Sequence, residues 1–85
     1  MSEAVGERLT TLRMAMGYET IRAFAKALDV NEDRYDKWEK GKALIPAEAV
    51  WSLKVKFGIT ADWLYFGEEA SLPRRLFQDL EKAAS

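Results

Sequence analysis

Residues 22 to 41 read RAFAKALDVNEDRYDKWEKG, and how this stretch folds decides the architecture. Phe24, Ala25 and Leu28 recur at helical spacing, and Thr20 just upstream can accept from the orphan N–H groups of a first turn. A short helix is therefore predicted over residues 21 to 28. Asp29-Val30-Asn31 interrupts it, because Asp tolerates a left-handed backbone better than most residues and Asn31 can cap a new helix. That second helix is expected from Glu32 to Lys40, with Gly41 as its stop. Two short helices joined by three residues, with a small Ala25 where they cross, make a compact angle.

Upstream, Val5, Leu9, Leu12 and Met16 are spaced by three and four, which sets them on one face of a helix from Glu3 to Met16. Glu7, Arg8 and Arg13 are assigned to its wet faces, and Met14 and Met16 to filling gaps at its end. Gly17 closes it. Downstream of the loop KALIP, Pro46 fits a first helical turn, and Val50, Leu53, Val55 and Phe57 carry a fourth helix closed by Gly58. Thr60 caps a brief fifth helix, Ala61 to Phe66, which contains Trp63 and Leu64, with Trp63 expected in the core. Ser71 followed by Pro73 reads as another helix start, leading into Arg74 to Ala84. Gly67 to Ala70 is the expected linker, so the chain divides into a domain over 1–67 and a linker with a C-terminal helix over 68–85. That tail buries Leu72, Leu76, Phe77 and Leu80 either as a lid on the core or as a dimerisation surface.

The chain has 85 residues, enough for one modest core. With 48% hydrophobic and 32% charged residues, five Gly and two Pro, it has the profile of a soluble helical protein. It contains neither Cys nor His. Disulfides, thiol nucleophiles, imidazole bases and the common zinc sites are thereby excluded, and no metal or cofactor is expected. No phosphate loop, nucleophile elbow or catalytic dyad is recognisable among the remaining carboxylates, Lys, Tyr and Ser, so catalysis is not expected. No apolar run is long enough to cross a bilayer, and the start MSEAVGERL lacks the basic opening and apolar middle of a secretory signal. A cytoplasmic location is the expectation. The net charge is −1, so any contact with nucleic acid must rest on a local patch.

The run Phe24-Ala25, Leu28, Val30, then Trp38-Glu39-Lys40-Gly41, and later Ala61-Asp62-Trp63-Leu64, resembles the Cro/phage-repressor family of helix-turn-helix proteins over roughly Val5 to Gly67. The resemblance implies an all-α, five-helix, lambda-repressor-like domain, here with an additional C-terminal amphipathic helix. It also implies sequence-specific binding of double-stranded DNA in transcriptional control, as a repressor, with helix 32–40 in the major groove. Such regulators bind paired half-sites, so a homodimer is expected.

On this reading Tyr35 and Trp38 face the core, while Glu32, Asp33, Arg34, Asp36 and Lys37 project outward as the candidate base-contacting residues. Arg34 could address guanine through a bidentate pair. Thr20, Lys40 and Lys42 are placed for phosphates, which set register without reading sequence. At the first position of helix two, where the family has Gln, this chain has Ile21, which offers phosphate no hydrogen bond. Glu32, Asp33, Asp36 and Glu39 also stand against Arg34 and Lys37, and uncompensated carboxylates would repel phosphate. Asp33 with Lys37 and Asp36 with Lys40 have the spacing for pairing along the helix. The alternative reading is a protein-interaction module, an antirepressor or assembly accessory that uses the acidic face of the same helix.

Overall fold

In a computed structural model describing residues 1–85, the chain forms six helices and no strand: α1 (Ser2–Ala15), α2 (Ile21–Ala27), α3 (Glu32–Glu39), α4 (Ala47–Phe57), α5 (Ala61–Phe66) and α6 (Arg74–Ala84). No helix is long and apolar enough to cross a membrane.

The turn between α2 and α3 is built from local chemistry. Asp29 takes φ 57°, the one positive φ outside glycine. With the chain bent there, Asp29 N–H reaches Lys26 C=O at 3.1 Å and Val30 N–H reaches Ala25 C=O at 2.9 Å, which satisfies carbonyls that the end of α2 would otherwise leave open. Val30 then packs against the core. Thr20 Oγ1 accepts from Ala23 N–H and Asn31 Oδ1 from Arg34 N–H, both at 3.1 Å, so each of the two helices starts on a side-chain cap. Gly41, at φ 74°, ends α3 with the same pair of bonds: its own N–H to Trp38 C=O and Lys42 N–H to Lys37 C=O.

The core is assembled around α1, which packs against α3, α5 and α6. Leu9 and Leu12 of α1, Phe24 of α2, Tyr35 of α3, Leu53 of α4 and Leu64 of α5 are all fully buried. Phe24 is the aromatic hub, with ring centroids 5.1 Å from Tyr18, 5.5 Å from Tyr35 and 5.6 Å from Phe57. The close crossing of α1 and α3 depends on Gly6. A Cβ there would collide with the backbone carbonyls of Trp38 and Glu39, so a glycine inside α1, a poor helix residue, is what lets the two backbones touch.

Several expectations are corrected. Arg13, assigned to a wet face of α1, is buried. Val55, counted among the inward residues of α4, is 67% exposed, and Met14, expected to fill a gap, is 53% exposed. In both cases the residue is apolar but lies off its helix's buried stripe, which is Val50 and Leu53 in α4 and Val5, Leu9 and Leu12 in α1. Ser71 does not cap α6. Pro73 occupies the cap position without a side-chain bond, and the Ser71 hydroxyl lies 2.8 Å from that of Thr60 instead. Leu72, Leu76 and Leu80 are buried within the single chain, so the apolar face of α6 is spent on the core.

Candidate functional site

α3 presents two chemically opposite sides. At 100° per residue, Tyr35, Trp38 and Glu39 fall on one side, and Asp33, Asp36, Lys37 and Lys40 fall on the other. The first side is anchored. Tyr35 is fully buried and Trp38 is 3% exposed, their rings meeting edge-on at 5.8 Å.

Glu39 belongs to this anchored side. Its side chain is 5% exposed and forms an ion pair with Arg13, Nε to Oε2 at 2.8 Å. Thr10 donates to its Oε1 at 2.8 Å and the Tyr35 hydroxyl to its Oε2 at 2.5 Å. Arg13 also donates from Nη1 to the carbonyls of Tyr18 and Glu19. One guanidinium thereby joins α1, the α1–α2 connection and α3. Burial, and then the hydrogen bond to Glu39, push the Tyr35 phenol far above the ordinary tyrosine range. The charge that sequence alone places among the outward acids is therefore neutralised internally.

The outward side retains its mixed character. Asp33 and Lys37 are exposed at its centre. They form no ion pair with each other, whereas Lys40 Nζ and Asp36 Oδ1 pair at 2.6 Å with both side chains well exposed. Such a pair contributes little to stability, but it engages a cation that the sequence assigns to phosphate. Arg34 is exposed but lies on a flank, its guanidinium carbon 5.3 Å from the centre of the Trp38 ring. There it borders a depression shared with Asp29, Glu48 and Lys56 between the α2–α3 turn and α4. Glu32 lies on the opposite flank in a second depression with Arg22, Lys26 and Asn31. Lys42 is exposed just beyond α3, and Thr20 at the start of α2. The Thr20 oxygen accepts from Ala23 N–H, which leaves its hydroxyl proton free to donate.

Sequence reasoning missed two cations. Arg22 and Lys26 are exposed on α2, four residues apart, and border the start of α3. Their spacing on one helix face was legible, but which side of α2 would face outward depended on the packing of Phe24 and Ala25. Over residues 20 to 42 the accessible charge is six cations (Arg22, Lys26, Arg34, Lys37, Lys40, Lys42) against four carboxylates (Asp29, Glu32, Asp33, Asp36), once Glu39 is matched by Arg13. This stretch is net positive on a chain that is net negative.

Comparison of the chain with protein-family models, with curated proteins and with solved structures returns no match.

Proposed function

We propose that this protein binds double-stranded DNA sequence-specifically as a small transcriptional repressor of the helix-turn-helix type, with a lambda-repressor-like arrangement of its first five helices and α3 in the major groove. The observation that carries the reading is the division of α3. One side is clamped to α1 through Tyr35, Trp38 and the buried Glu39–Arg13 pair, while Asp33 and Lys37 stand exposed on the other, across a tight turn from a capped α2. A recognition helix must be held rigidly by one face and offered by the other.

In this arrangement Asp33 and Lys37 are the central base-contacting candidates, Asp accepting from a cytosine amine and Lys donating to guanine. Glu32, Arg34 and Asp36 reach the edges of the same contact. Thr20, Lys40 and Lys42, joined by Arg22 and Lys26, supply the phosphate contacts that set register. The function is binding, with no chemical step.

The deciding experiment is a titration against a randomised duplex pool at low and moderate salt, comparing wild type with Lys37→Ala and Lys40→Ala. Enrichment of one sequence is expected. Lys37→Ala should cost about 1–3 kcal/mol and relax one position, whereas Lys40→Ala should weaken all sites alike and reduce the salt slope by about 1. If no duplex binds even at low salt, the reading is wrong, and the exposed Glu32, Asp33 and Asp36 become candidates for docking a protein.

A further inference from the structure

An open groove of about 750 Å³ runs between α4, α5 and the segment leading into α6, a size common among small-molecule sites. The two helices pass each other here in opposite senses. Tyr65, in the last turn of α5, donates its hydroxyl to the carbonyl of Ile45, just before α4, at 2.7 Å. Thr60, just before α5, stands near Gly58 at the end of α4. The groove therefore has two chemically different ends. Towards the start of α4 it is apolar, with Trp51 and the ring of Tyr65 on its two walls and the core residue Val50 contributing to the lining. Trp51 is 64% exposed, and an indole this open at the lip of a groove offers its flat face to another ring.

The other end is polar and carries both signs of charge. Lys54 of α4 and Asp62 of α5 are exposed in the lining, and neither belongs to an ion pair of the molecule. Beside them Thr60 and Ser71 meet hydroxyl to hydroxyl at 2.8 Å. Two hydroxyls bring two protons, and their mutual bond uses one. Thr60 Oγ1 also accepts from Trp63 N–H, so whichever hydroxyl donates within the pair, one O–H remains to donate elsewhere. An ammonium and a spare O–H suit a carboxylate, while Asp62 suits a cation. A purely anionic molecule would face Asp62, and a purely cationic one Lys54, without compensation. An α-amino acid meets both, because its carboxylate and ammonium share one carbon, from which the side chain extends towards the apolar end.

We infer that this groove binds an α-amino acid with an aromatic side chain, its carboxylate on Lys54 and the spare hydroxyl, its ammonium on Asp62 and its ring on the indole of Trp51. No part of the lining comes from α2 or α3. The binding therefore does not depend on the DNA reading and is tested without DNA.

L-Phenylalanine is the probe. Trp51 is the one exposed tryptophan, Trp38 and Trp63 being 3% and 7% exposed, so titration of the full chain should change its indole emission and saturate at millimolar concentration or below. 2-Phenylethylamine lacks the carboxylate and 3-phenylpropionate the ammonium, and each should bind weaker by about 10-fold or more. In titrations followed by amide chemical shifts, Trp51→Ala, Lys54→Ala and Asp62→Asn should each weaken L-phenylalanine by a similar factor, with helicity unchanged because all three side chains are exposed. Lys54→Ala should also erase the preference over 2-phenylethylamine, and Asp62→Asn the preference over 3-phenylpropionate, which a merely loosened fold would not do. The inference is overturned by the lack of a saturable change at millimolar L-phenylalanine, by either analogue binding as well as the amino acid, or by variants that keep the wild-type preferences.

Discussion

Arg13 of α1 and Glu39 of α3, 26 positions apart in the chain, meet through an ion pair of 2.8 Å in which both side chains are at least nine-tenths buried. No buried side-chain nitrogen or oxygen in the molecule lacks a partner. The pair therefore sits in a fully satisfied network with Thr10, Tyr35 and the carbonyls of Tyr18 and Glu19. Removing one partner strands the other charge. Glu39→Ala or Arg13→Ala should cost about 3–5 kcal/mol in urea unfolding, while replacing both by apolar residues of similar volume, with Tyr35→Phe so that no buried phenol is stranded, should cost far less. If the combined replacement is as damaging as either single one, the stranded-charge account fails.

Gly6 sets how close α1 comes to α3. Gly6→Ala would improve the intrinsic propensity of α1 but places a methyl group against the carbonyls of Trp38 and Glu39. The clash should win, destabilising the chain by about 1–3 kcal/mol. An unchanged or raised midpoint of thermal unfolding would show that the crossing can relax.

Alkaline pH should expose the state of Tyr35. Its phenol titrates well above the ordinary range in the folded chain, through burial and its bond to Glu39, while in the unfolded chain it titrates near 10. The folded state thus retains a proton that the unfolded state loses. The associated stability is fully present below about pH 10 and declines above it, by about 1.4 kcal/mol per pH unit. Tyr65 is shifted in the same direction by burial, so the test is comparative: Tyr35→Phe should flatten the fall in stability measured between neutral and strongly alkaline pH. An equal fall in both proteins would contradict it.

If α3 meets DNA as proposed, the Asp36–Lys40 pair bears on the affinity. Asp36 holds Lys40 Nζ at 2.6 Å on the outward side of α3. Asp36→Asn frees the ammonium and removes a carboxylate from the face proposed to meet DNA, so non-specific duplex binding should tighten and its salt dependence steepen by about one counterion. Weaker binding to every duplex would instead mean that Asp36 itself makes a contact, or holds Lys40 where it is needed.

Much of this fold was legible in residues 20 to 41 because its signals are local. A hydroxyl at Thr20, an amide oxygen at Asn31, an Asp at the left-handed position and a Gly at residue 41 each act on backbone within a few residues. They operate the same way whatever surrounds them. The inward placement of Tyr35 and Trp38 follows likewise from helical periodicity.

The tertiary structure alone decided the charge on the candidate site and the fate of the exposed apolar residues. Glu39 and Arg13 look like ordinary surface charges in sequence, since a carboxylate's cost or benefit depends on a partner that only the α1–α3 crossing supplies. Gly6 reads as a weak point in a helix until the opposing carbonyls are seen. Val55 and Trp51 are apolar in any context, yet α4 buries one stripe and turns these two outward. Local propensity determines which segments are helical, while the burial of one face against another determines which charges and which apolar groups remain for a partner.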